Sequence, residues 1–233
     1  MIAILKREIY AYFRTPLGYI FISVMYLFTG YYFFTYNIFS NTTDTTGLFT
    51  MLFSVVLFLI PVLTMRLLSE ERRSKTDQTI LTSPVSRLVI VIGKYIAALF
   101  IYILAISGTL IMAMILNHYS IPDWSVIFGN FLGLLLLGST LIAVCLFISS
   151  LTENQIIAAV GGFTVSLFLI LMDAMVYVIT SNVLKVIFRQ MSFNNRYQGF
   201  TIGIVNLADI TFFISITAFF LCLTVLVLER HRH

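Results

Sequence analysis

Six apolar runs, each long enough to cross the roughly 30 Å of a bilayer's hydrocarbon core, follow one another in this chain: Leu17–Phe39, Leu48–Leu68, Leu88–Leu116, Val126–Leu151, Ile156–Ile179 and Leu207–Leu228. In lipid every backbone polar group must be satisfied within its own segment, so such runs predict helices. The expected fold is therefore an all-α integral membrane protein, one transmembrane domain over residues 1–233. Composition agrees: 60% of residues are hydrophobic and 10% charged, against about 25% charged in soluble domains. Mean hydropathy is +1.01.

The one long interruption inside this apolar chain is Arg66–Arg87, RLLSEERRSKTDQTILTSPVSR. Its mixed-charge patch, Glu70, Glu71, Arg72, Arg73 and Lys75, cannot sit in hydrocarbon and must face water. Ser74 followed by Asp77 fits a capping box, Ile80 and Leu81 form an apolar pair, and Pro84 stops the helix. Roughly two turns result, too short to be stable alone, so the segment is expected to fold against a docked partner protein. A solvated loop is the plain alternative. Arg66, near the end of the second run, either snorkels to headgroups or pairs with Glu70 at helical spacing.

The charged end of the second run, then Thr76-Asp77-Gln78-Thr79-Ile80-Leu81-Thr82-Ser83-Pro84, then Gly93-Lys94-Tyr95, resembles the membrane subunit of ABC-2 type exporters, nearest to the gliding-motility-associated permeases. The likeness extends through the six-span layout to the run Ser192-Phe193, Gly199 and Asp209. Lys75 stands where that family often has Gly, and Gln78 where it often has Glu. The resemblance implies a type V exporter fold and a permease that couples ATP hydrolysis on a separate ABC ATP-binding subunit to substrate export. ATP and Mg would belong to that partner, and none of the catalysis to this chain. It implies that residues 69–87 are the coupling region, with Glu70, Glu71, Arg72, Arg73, Thr76, Asp77, Gln78, Ile80, Leu81 and Pro84 contacting the ATPase. It further implies pairing with a second copy or a related permease, and an outer gate near Phe193, Gly199 and Phe200. Two other readings stay open: an anchor transmitting force to an envelope machine without moving a solute, and a stand-alone channel or secondary carrier.

Around these spans the remaining segments take definite roles. Residues 1–15 read as an interfacial helix, with Ile4, Leu5, Ile9, Tyr12 and Phe13 on one side and Lys6, Arg7 and Arg14 outward. The first run is too long for a secretory signal core and lacks a small-residue cleavage site, so it is expected to stay as a span whose tyrosines form an interfacial belt. Pro61 should kink the second span. Lys94, in the first turns of the third, is expected at the interface. Gly129 and Gly133, in GxxxG spacing on the fourth, should pack closely on another helix, within the chain rather than across a dimer. Asp173 falls about 25 Å along the fifth span, where a pair with Lys185 or Arg189 would make its charge tolerable. Residues 181–206 suit amphipathic or re-entrant helices at the outer interface.

Eleven of the fourteen Lys and Arg fall on one side: Lys6, Arg7, Arg14, Arg66, Arg72, Arg73, Lys75, Arg87, Lys94, Arg230 and Arg232, against Lys185, Arg189 and Arg196. Both termini and the polar stretch are therefore expected in the cytoplasm, at the inner (cytoplasmic) cell membrane. The formal net charge of +4 makes nucleic acid no partner, and the bilayer is the expected medium. Cys145 and Cys222 stand alone in apolar runs and His231 and His233 on a tail, so no metal site is expected. The chain has no GxxxxGK[ST] phosphate loop, HExxH or GxSxG.

Overall fold

The computed structural model describes residues 2–73, 86–119, 122–178 and 182–230. Among them every regular element is helical, and six helices are long and apolar enough to cross a membrane, so the chain is a multi-pass membrane protein. In order these are α1 (Ile2–Arg14), α2 (Pro16–Phe33) running into a π-helical turn (Phe34–Ile38), α3 (Thr46–Thr64), α4 (Ser69–Arg73), α5 (Arg87–Tyr119), α6 (Trp124–Leu151), α7 (Gln155–Val178), α8 (Asn182–Met191), α9 (Phe193–Thr201) and α10 (Leu207–Arg230).

Local chemistry explains the breaks. Thr15 is extended and Pro16 opens α2, where its missing N–H costs nothing. Asp123 and Ser192 cap α6 and α9, their side chains accepting from the backbone N–H of Ser125 and Asn195. Helix α3 continues through Pro61 to Thr64, and the break falls one turn later, at residues 65–68, before α4 carries on the same span.

The fourth span, α6, is the hub, packing on α3, α5, α7, α9 and α10. Small and hydroxylated residues make this close approach feasible. Tyr102 of α5 lies over Gly138 and donates to the Leu134 carbonyl at 2.7 Å, and Thr140 donates to the Phe213 carbonyl of α10 at 3.1 Å. The outer helices α2, α7 and α10 leave large apolar side chains exposed, among them Leu27, Phe168 and Phe219, which suits a surface solvated by lipid.

The segment after the fifth span forms the two short helices α8 and α9. Phe193 and Phe200 are buried, and the Tyr197 hydroxyl donates to the Phe49 carbonyl at 3.2 Å. The small-residue face of α6 meets this element within the chain: a Cβ on Gly129 would lie 3.0 Å from the Phe200 carbonyl oxygen, and one on Gly133 2.8 Å from Phe200 Cβ. Gly199 faces the Ile204 carbonyl and the Asp209 carboxylate. Asp173 does not pair with Lys185 or Arg189. It accepts a hydrogen bond from the Ser192 hydroxyl, a neutral donor on the adjoining helix cap, while Arg189 turns to Asn195 and Lys185 is exposed. The cation that closes this end is Arg196, 2.8 Å from Asp209 and stacked 4.1 Å over the Phe212 ring.

Candidate functional site

The break at residues 65–68 frees backbone groups that a continuous helix would satisfy, and side chains from three other helices take them up. In a regular helix the Leu63 carbonyl would receive the Leu67 N–H; here that N–H goes to the Thr64 carbonyl at 3.1 Å. The Tyr12 hydroxyl of α1 donates to the Leu63 carbonyl instead, at 3.0 Å. Ser149 of α6 accepts from the N–H groups of Leu68 and Ser69 at 3.2 and 3.1 Å and donates to the Met65 carbonyl at 3.3 Å, which the Ser69 hydroxyl also reaches. Lys94 of α5 donates to the Leu67 carbonyl at 2.6 Å. An interrupted helix is thus stapled by its surroundings, as buried backbone polar groups require.

Lys94 is buried within the chain. Only 1% of its side chain is exposed, because α1 lies across the start of α5 and covers it. Ile4 of α1 sits where a Cβ on Gly93 would come within 3.0 Å, so the absence of a side chain at Gly93 permits this crossing. An ammonium has three N–H donors, and Lys94 has three acceptors: the Leu67 carbonyl, Glu71 at 2.9 Å and Glu8 at 3.4 Å. Arg7 bridges the same two carboxylates, 2.7 Å from Glu8 and 2.8 Å from Glu71. Two cations and two anions therefore balance around the buried Lys94, with Arg7 half exposed at the edge, and such pairing is how a charge is tolerated in a low-dielectric setting. The Glu8 hydrogen bond, with Glu71 adding to it, pushes the Arg7 guanidinium further up. Burial pushes the Tyr12 phenol up, keeping its donor to Leu63 in place.

This arrangement unites α1, the end of the second span and the start of the third, the last two being the elements that flank residues 74–85 in sequence. Of the coupling residues expected from sequence, Glu70, Glu71, Arg72 and Arg73 lie on α4, which extends the second span. Thr76, Asp77, Gln78, Ile80, Leu81 and Pro84 lie outside the described residues, as does the capping box at Ser74. Arg66 pairs with Glu70 in bidentate fashion, both bonds at 2.7 Å. On the far side of the stretch, Arg87 lies 3.6 Å from Glu229 at the end of α10.

Glu8 and Ser149 were not among the residues sequence reasoning singled out, and Tyr12 was read only as part of the apolar side of α1. The signal for Glu8 was present: it lies four residues from both Ile4 and Tyr12, on the apolar stripe of α1, where a carboxylate needs a cation opposite it. Among the described residues no group of His, Cys, Asp and Glu could hold a metal ion. What the site offers is a set of ion pairs and backbone hydrogen bonds around a helix discontinuity. A protein-family model described as ABC-2 family transporter protein matches residues 2–232. A comparison with curated proteins finds no match.

Proposed function

Because the chain belongs to the ABC-2 family of transporter proteins, we propose that it is the membrane permease subunit of an ATP-driven exporter, working with a separate ABC ATP-binding subunit docked on residues 74–85. The resemblance over Thr76–Pro84 and Gly93–Tyr95 supports a reading nearest the gliding-motility-associated permeases within that family. The observation that carries the coupling reading is the stapled break at 65–68 next to that stretch. A displacement of the docking segment would reach α4 first. From there it passes by Glu71 to Lys94 on the third span and to Arg7 on α1, and by the break into α3. Because the break is held by side chains from three helices rather than by its own helical ladder, it can exchange one packed arrangement for another without unravelling the apolar segments above it. The ATPase must contact the two arrangements differently for this to perform work. The Lys and Arg distribution supports an orientation with both termini and the docking segment in the cytoplasm. Two permeases, identical or related, would enclose the path.

The test is to purify the tagged chain gently from its own host, identify what accompanies it, and assay ATP hydrolysis. A stoichiometric ABC ATPase, lost from the Ile80→Glu/Leu81→Glu variant while the six spans stay inserted, is the expected result. A chain that moves solute in liposomes without ATP or a partner would overturn the reading.

A further inference from the structure

At the end of the bundle opposite the Lys94 cluster, a cavity of about 870 Å³ opens between the end of the first span, the loop after it and the end of α5. Its construction is specific. The π-helical turn Phe34–Ile38 carries Asn37 into a buried position, where its Nδ2 donates to the carbonyls of Thr42 at 3.2 Å and Asp44 at 3.0 Å. Asn41 takes a left-handed φ of 52° to bring the chain round. The loop is therefore preformed, closed on itself through Asn37 and by the Thr42 hydroxyl, which donates to the Tyr36 carbonyl at 3.0 Å.

Three properties of the lining define what would fit. Phe33, Ile38, Ile115 and Tyr119 supply apolar and aromatic walls. Asp44 supplies a carboxylate, exposed and without an ion-pair partner among the described residues; no Lys or Arg lines the cavity. Hydrogen bonds from Thr46 hold that carboxyl below its usual range, so it is charged at neutral pH. Asn37 adds a buried polar group beside it: both of its N–H groups are engaged by carbonyls, which fixes the amide's orientation, and Oδ1, though buried, has no donor among the described residues. An anion is excluded by Asp44, and a neutral apolar molecule would leave Asp44 and Asn37 unanswered.

We propose that this cavity binds a primary ammonium carried on an apolar chain, the ammonium against Asp44 and the chain along Phe33, Ile38 and Ile115. An –NH₃⁺ group combines the charge Asp44 lacks with N–H donors for the acceptors around it. An aminophospholipid headgroup and a free alkylamine share this chemistry. The proposal does not depend on the export reading: it concerns binding at the other end of the molecule and stands without an ATPase.

The test uses the full chain in nanodiscs of phosphatidylcholine, whose headgroup has no N–H, with a diazirine-bearing dodecylamine as photoprobe and peptide mapping as readout. Saturable labelling within residues 33–44 or 115–119 is expected. Dodecylamine should compete about tenfold better than dodecyltrimethylammonium, which has the charge and no donor. Asp44→Asn keeps a side-chain oxygen able to accept from the Thr46 N–H and should weaken labelling about tenfold; Ile115→Trp, which fills the cavity and leaves the charge, should abolish it. Each variant is checked by its elution profile and thermal unfolding, and if one fails to fold the other decides. Competition by phosphatidylethanolamine placed in the nanodisc identifies the lipid as the source, and its failure to compete identifies a free amine. Labelling that does not saturate, maps elsewhere, is indifferent to both substitutions, or is competed equally by dodecyltrimethylammonium overturns the proposal.

Discussion

Ser166 makes the hydrogen bond that Pro61 cannot: its hydroxyl donates at 2.6 Å to the Leu57 carbonyl, the group a residue with an N–H at position 61 would have satisfied. Gly162, one turn earlier on α7, permits the approach, since a Cβ there would lie 2.8 Å from Pro61 Cβ. The fifth span is thus fitted to the second at the point where the second span's ladder has a gap.

Ser166→Ala should therefore cost about 1–2 kcal/mol by leaving a buried carbonyl unpaired. In a Pro61→Ala background, where the backbone N–H is restored, the same substitution should cost markedly less. Thermal unfolding of the four proteins in detergent measures the cycle, and strictly additive losses would sink the account.

Lys94→Met should destabilise by about 3 kcal/mol, because it leaves Arg7 as the one cation against the two largely buried carboxylates of Glu8 and Glu71. Adding Glu71→Gln removes one stranded charge and should recover part of that loss, leaving Arg7 and Glu8 as a balanced pair. A double substitution no more stable than the single one would show that the cluster is held together by something other than charge balance.

Gly138 and Gly30 predict opposite outcomes for the same change. A Cβ on Gly138 would fall 2.2 Å from the Tyr102 ring, which is itself tied to Leu134, so Gly138→Ala should cost about 1–3 kcal/mol through overpacking. Gly30 has nothing within 4 Å, and Gly30→Ala should stabilise its helix by about 0.5–1 kcal/mol. Unfolding temperatures of the two variants should move in opposite directions.

Tyr12→Phe and Ser149→Ala each remove a staple from the break at 65–68. Stability should fall by only about 1 kcal/mol in each, whereas ATP hydrolysis stimulated by the permease should fall much further with the ATPase still bound. If coupled hydrolysis survives both changes, the break is an ordinary irregularity and not a joint.

The six spans were legible because apolar length is a property of each run by itself, and the Arg66–Glu70 pair because it depends only on helical spacing. The site was legible in one part and not in another for the same reason. The charge patch Glu70–Arg73 announces itself in the sequence, but its partners do not. Glu8 and Lys94 come together only because α1 folds back over the third span at Gly93, and a lysine near a span's end otherwise reads as a snorkelling one. Asp173 went to Ser192 rather than to a lysine or arginine because the cap of α9 places a hydroxyl beside it, and a cap residue's second hydrogen bond is invisible from composition. The break at 65–68 was equally hidden. Pro61 marks where a ladder loses one bond, but the place where α3 yields depends on Ser149 and Lys94 being available to receive the backbone four residues later.

The Arg87–Glu229 pair, with the Arg7–Glu71 pair on the other side, brings the first and last described helices to the two flanks of residues 74–85. Probes fused near Lys6 and near Glu229 would thus sit at the same end of the molecule, within reach of any protein seated on that segment. Positions near Lys6 and Glu229 therefore become practical attachment points for proximity labelling of the proposed partner, and impractical ones for a bulky tag meant to leave that contact undisturbed.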